Sequence, residues 1–258
     1  MTNEATFEAL DLAAAFLDTS KRAWIVGVAH LSDLPLETEA LSEEKVRSVL
    51  EIATSTVDFP SGPISYIGPG FPLDWGGFHS LVTVTGGEAA PHLEVQIGFG
   101  QSGFIAFALT RSDVFDDGSV HVGGVPLTDV ESVVADTYVL AVGAALAYGY
   151  TGPIDIAVDT YDTRPDVTLV AYAIDEDSGA LEPAPIQEGF TRVTGSTRFD
   201  ENMTPRSAHA DIHNMAMSAT APFGVLPQLT SLLDASNEAY SSSPLLYQDT
   251  GELTVWGP

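Results

Sequence analysis

The chain has 258 residues, enough for one large domain or two modest ones, and 45% of them are hydrophobic, as in an ordinary folded globule. It carries 36 Asp and Glu against 9 Lys and Arg, a formal charge of −27, although only 17% of its residues are charged. The imbalance therefore comes mostly from missing bases, and it argues against plain binding of nucleic acid or of anionic membranes, whose phosphates such a surface repels.

The acids are scattered and form no long run, so solubility explains them better than mimicry of nucleic-acid charge. Cysteine is absent, which excludes disulfides, zinc fingers, thiol catalysis and iron–sulfur ligation by this chain. The opening MTNEATFEAL has no basic stretch ahead of an apolar one, so no secretory leader is expected there. The longest apolar run, YVLAVGAALAY at 138–148, falls short of the about 20 residues of a bilayer span and reads as a buried helix. A soluble, cytoplasmic protein is the expectation.

In chain order, residues 4–18 read as a helix, with Phe7, Leu10, Ala14 and Leu17 at helical spacing. Residues 24–29, WIVGVA, read as a buried strand. Residues 42–54 read as a second helix, capped by Ser42, with Val46, Val49, Leu50 and Ala53 as its apolar stripe. Residues 57–79 are dense in Gly, Pro and aromatics and read as an irregular segment, with one short strand at 64–67.

Strand signals follow at 81–85, 92–97 and 104–110, with hairpin turns near Gly86-Gly87 and at 101–103. A further short strand is expected at 120–123. Residues 128–148 read as a long helix, with Thr128 and Glu131 in the capping-box pattern and Gly149 at the C-terminal stop. Strands are expected at 154–159, 167–173 and 192–198. A helix follows, capped by Thr204 with Pro205 in its first position, then a shorter one at 226–234. The tail from 236 is polar until residues 253–256, which read as an edge strand.

This order predicts an α+β fold: a mainly antiparallel sheet with a long central helix and C-terminal helices packed on one side. Residues 1–60 form an N-terminal segment within or beside the main domain at 61–235, and 236–258 form a polar tail.

Three stretches, GFGQSGFIAFALTRSD, VVADTYVLAVGAALAYGYTGPIDIAV and TRVTGSTRFD with the later FGVLPQLTSLLD, carry a likeness over about residues 78–234. They resemble the C-terminal region of actinobacterial proteins that bear an N-terminal Schlafen-type AlbA-like module. Residues 1–77 do not show the AlbA-like pattern. The resemblance implies a shared fold and a sensing or interaction role, and it transfers no catalytic residue.

Gly98, Gly100 and Gly103 spell G-x-G-x-x-G, but a dinucleotide site needs a helix next, and FIAFALT is a better strand, so a glycine-rich hairpin is expected. His209 and His213, in H-x-D-x-H around Asp211, are the candidate metal ligands. On a helix the two imidazoles share one flank and Asp211 falls on the other, which is a weak site. Asp155, Asp159, Asp162 and Asp166 cluster in DIAVDTYDTRPD; paired carboxylates serve acid–base chemistry or hold a hard cation, but a solvated strand edge and loop is the commoner arrangement. Asp113, Asp116 and Asp117 before Gly118 lack calcium-loop spacing and read as a turn.

The loop at 68–79, GPGFPLDWGGFH, offers Phe71, Trp75 and Phe78 as aromatic anchors, with Asp74 and His79 as polar contacts for a ligand or partner. The competing arrangement has these aromatics folded back over the core.

No nucleophile elbow, phosphate-binding loop, zinc-protease or kinase pattern is present in the sequence. The residues therefore point to a non-catalytic binding or regulatory protein without a cofactor, with a protein partner, a small ligand or a second copy of itself. The alternatives are a metal-assisted hydrolase built from separated Asp and His residues, and an acidic mimic of nucleic acid.

Overall fold

Residues 24–31 are apolar at almost every position, which suits a strand covered on both faces. In the computed structural model this strand, β1 (Trp24–Leu31), lies inside a seven-stranded sheet. The structure describes residues 2–32, 34, 42–56, 74–76, 79–85, 93–100, 103–111, 124–174, 181–184, 190–200 and 205–223; the side chains at 2–3, 43, 54–56, 74–76, 79–85, 93, 111, 174, 181–182 and 205–209 lie outside that description.

The other strands of this sheet are β2 (Asp74–Gly76), β3 (His79–Thr85), β4 (Leu93–Gly100), β5 (Phe104–Arg111), β7 (Gly152–Tyr161) and β10 (Val193–Phe199). Their order is β10-β7-β1-β5-β4-β3-β2, and every pairing is antiparallel. A smaller sheet joins β6 (Gly124–Pro126), β8 (Val170–Ile174) and β9 (Leu181–Pro183), with β6 parallel to β8. Because β1 pairs with β5 on one edge and β7 on the other, the N-terminal segment is built into the centre of the sheet.

The long helix α3 (Leu127–Tyr148) lies across one sheet face, flanked by α2 (Glu43–Thr56) and α4 (Pro205–Thr220). Ile25, Ile97, Phe107, Leu109, Ile156 and Val158 meet the helices here in the main core. α3 is buried nearly all round, which explains why the run at 138–148 is apolar on every side. It is the described helix long and apolar enough to cross a membrane, and 89% of that stretch is packed inside the protein. A short 3₁₀ turn, Ala221–Phe223, follows α4.

The expected α+β layout, with its central helix and C-terminal helix α4 on one side, is what the chain adopts. The first helix, α1 (Thr2–Ala14), packs on the opposite face. Its Leu10 joins Trp24, Val26, Val28, Ala108 and Ala157 in a separate cluster. Strand alternation makes this possible, since successive residues of β1 feed the two cores in turn.

Local sequence explains most element ends. Ser42 caps α2: its Oγ accepts from the Lys45 N–H at 3.4 Å and its carbonyl from Val46 at 3.0 Å. α3 does not use the expected Thr128 cap. β6 runs straight into the helix, so the N-cap is Pro126, with ψ 131 and no side-chain cap hydrogen bond. At the other end Gly149 takes φ 64, its N–H reaches the Leu146 carbonyl, and Tyr150 N–H reaches that of Ala145 at 2.8 Å, a Schellman stop. Lys45 Nζ satisfies a further terminal carbonyl, that of Ala147, at 2.8 Å.

A Cβ at Gly149 would meet nothing within 4 Å, so the helix stop depends on backbone conformation alone. Gly149→Ala is therefore expected to cost about 1 kcal/mol, read as a lower urea midpoint at unchanged m-value.

The glycines 98, 100 and 103 sit in and after β4, with β5 directly following, so the motif is a hairpin and not a dinucleotide loop. Gly103 has φ 78, and a Cβ there would lie 2.6 Å from the Leu31 carbonyl oxygen. The strands expected at 64–67 and 120–123, the helix at 226–234 and the tail from 236 lie outside the described residues.

Candidate functional site

Of the residues expected in the 68–79 loop, Asp74 and Trp75 fall in β2 at the sheet edge, and His79 opens β3 opposite Gly76. Phe71 and Phe78 lie outside the described residues, as do the side chains of Asp74, Trp75 and His79.

His209 and His213 both lie on α4, as expected, with the His213 side chain half-buried and that of His209 outside the description. Asp211 accepts a hydrogen bond from Thr197 Oγ1 of β10. Among the described residues, no three His, Asp or Glu side chains come together as metal ligands.

The aspartates of β7 share one face as expected, but they are not on a solvated edge. β7 pairs with β1 and β10, so Asp155 and Asp159 lie inside the sheet. Asp155 is only 7% exposed. Asp159 accepts from Arg192 Nε at 2.8 Å, so it is half of an ion pair and not of a carboxylate pair. Asp162 is paired with Arg164 in the loop after β7. Burial works against the Asp162 charge, but the hydrogen bonds from Arg164 outweigh it and hold the carboxyl below its ordinary range.

Arg192 is the hub of a network that fastens α1 to the sheet. Beyond Asp159, it donates to Asp11 at 2.7 Å and to the Tyr161 hydroxyl at 3.1 Å, and its guanidinium lies 4.9 Å from the centre of the Phe7 ring. Tyr161 closes the ring by donating to Asp11 at 2.8 Å. The Arg192 hydrogen bond holds the Asp11 carboxyl below the usual carboxylate range, and burial, followed by the bond to Asp11, pushes the Tyr161 phenol up.

Fixed in this way, α1 turns a two-part surface outward. Glu4, Glu8 and Asp11 follow at helical spacing and are exposed. The helix expected over 4–18 ends at Ala14, so Leu12 lies on its last turn and Phe16 in the turn that follows; they are 51% and 52% exposed, and they are the large exposed hydrophobics among the described residues. Asp18 continues the acidic margin and is held ionised by Lys21 and Ser20. Two of these acids are ion-paired, Asp11 with Arg192 and Asp18 with Lys21, while Arg22, Arg164 and Arg198 pair elsewhere, with Glu94, Asp162 and Asp200. An exposed aliphatic–aromatic pair with an acidic margin can receive an apolar side chain flanked by positive charge.

No protein-family model, no curated protein and no solved structure matches the chain.

Proposed function

We propose that this is a non-catalytic binding protein with a regulatory role, which docks a basic, amphipathic segment of a protein partner on the outer surface of α1 and the turn that follows it. The observation that carries the reading is the joint exposure of Leu12 and Phe16 beside Glu4 and Glu8. Apolar side chains of this size cost free energy in water and gain it when covered, at roughly 25 cal/mol per Å². The formal charge of −27 steers a basic partner and repels acidic ones.

The double variant Leu12→Ser with Phe16→Ser is expected to lose no more than about 1–2 kcal/mol of stability, because both side chains are about half in water already. Its association with the partner is expected to weaken about tenfold or more, since aromatic anchors carry most of such contacts. Equal affinity in the folded variant would remove this surface from the interface. Raising the salt should also weaken the wild-type association, chiefly by slowing its on-rate.

A further inference from the structure

The face that carries α1 holds a second polar feature, in a row that adjoins α1's core cluster through Phe104. The strand registers align Gly100, Phe104, His30, Asp155 and Ser196 across β4, β5, β1, β7 and β10. Residues directly opposite in antiparallel strands share a face, with strands about 4.8 Å apart, so this row is one continuous strip. Its neighbouring row on the same face is Gly98, Ala106, Val28, Ala157 and Thr194. Glycine and alanine there leave little bulk beside Phe104.

Three observations give the strip a chemical character. His30 and Phe104 are stacked, with ring centres 4.0 Å apart and planes at 14°, and both are half-buried. Asp155, next to His30 in the row, is 7% exposed, and its hydrogen-bond partner is the Ser32 hydroxyl at a long 3.4 Å. A carboxylate has about four acceptor positions, and one this deep is costly unless they are filled. At the outer end Ser196 is exposed and contributes a hydroxyl.

We propose that this strip binds a small organic cation bearing an ammonium or guanidinium-type group. Asp155 supplies the counter-charge, the His30 ring, backed by Phe104, an aromatic wall, and Ser32 and Ser196 hydroxyls that fix orientation. An organic cation suits the strip better than a metal ion, because a hard metal asks for six or more oxygen ligands and the row has one carboxylate. The site is separate from the α1 surface, and neither depends on the other.

The probe is benzamidinium, titrated by calorimetry at pH 7.5 in 150 mM salt, with neutral benzamide as its isostere. Saturable one-to-one binding of benzamidinium, at least tenfold tighter than that of benzamide, is expected. Asp155→Asn should weaken it at least tenfold and Phe104→Leu about threefold. Asp166→Asn, which removes an equal charge from an exposed loop position, should leave it unchanged. Equal binding of benzamide, or loss of binding in Asp166→Asn to the same degree as in Asp155→Asn, would overturn the proposal. So would the absence of saturable binding. The benzamidinium-to-benzamide ratio needs no variant, so it decides the matter even if Asp155→Asn fails to fold.

Discussion

Gly27→Ala is expected to destabilise the protein by about 3 kcal/mol, at the upper end of what overpacking costs. Gly27 lies in the middle of β1, where α3 crosses it. A Cβ there would stand 2.0 Å from Thr137 Oγ1 and 3.1 Å from Val133 Cγ1. Thr137 has little freedom to yield, because it is fully buried and its hydroxyl donates to the Val133 carbonyl at 2.6 Å. The helix would have to lift from the sheet, opening the main core along β1 and β5. Combining Gly27→Ala with Thr137→Ala should recover about 1–2 kcal/mol, a coupling that chemical unfolding of the two single variants and the double variant measures directly. Strict additivity would mean that α3 does not approach β1 this closely.

The second large effect is expected at Arg192. Arg192→Met keeps an unbranched stem against Phe7 but leaves Asp159, 16% exposed, without its ion pair and frees Asp11 and Tyr161 from the ring. Breaking a fully buried pair costs more, but both partners here retain some water, so about 2 kcal/mol is expected. The loss should concentrate on α1, seen as faster amide exchange there than in α3.

The pH dependence has a definite sign. Asp11 has a folded pKa lowered from its ordinary value of 3.8, chiefly by the Arg192 hydrogen bond. It therefore stabilises the fold above that value, and the contribution is lost as the pH falls through the lower folded one. The stability gap between wild type and Arg192→Met should narrow in acid below about pH 3.8, by the share that Asp11 carries. A gap that stays constant into strong acid would show that Asp11 adds nothing.

Much of the fold was legible in the sequence for identifiable reasons. The run at 138–148 is apolar on all sides because sheet, α2 and α4 surround α3. Gly149 marked the helix end because the left-handed stop favours glycine. Thr128 misled because a capping pattern fixes a helix start only when a loop precedes it, and here β6 leads directly into α3 with Pro126 at the cap. β9, with Pro183 in a three-residue strand, carries too little pattern to be read.

The candidate surfaces were harder to see. The stripe of Phe7, Leu10, Ala14 and Leu17 gave α1 but not the sheet face it would cover. Leu12 and Phe16 fall off that stripe, and apolar residues off-stripe were the available signal for an exposed patch. The row of His30 and Asp155 depends on β1 extending past Ala29 to Leu31 and on the register of three non-consecutive pairings, which local pattern does not encode. Asp159 reads as a free carboxylate until Arg192, remote in sequence, is placed beside it by β10.

The most direct test of docking on α1 is photo-crosslinking in the native host. A photoreactive residue is placed at position 12, with the same residue at exposed position 166 as the control. A cross-linked partner from position 12 alone, mapping to a segment rich in Lys or Arg with an apolar anchor, is the predicted result. Equal cross-linking from both positions, or a partner segment that is acidic, would contradict it.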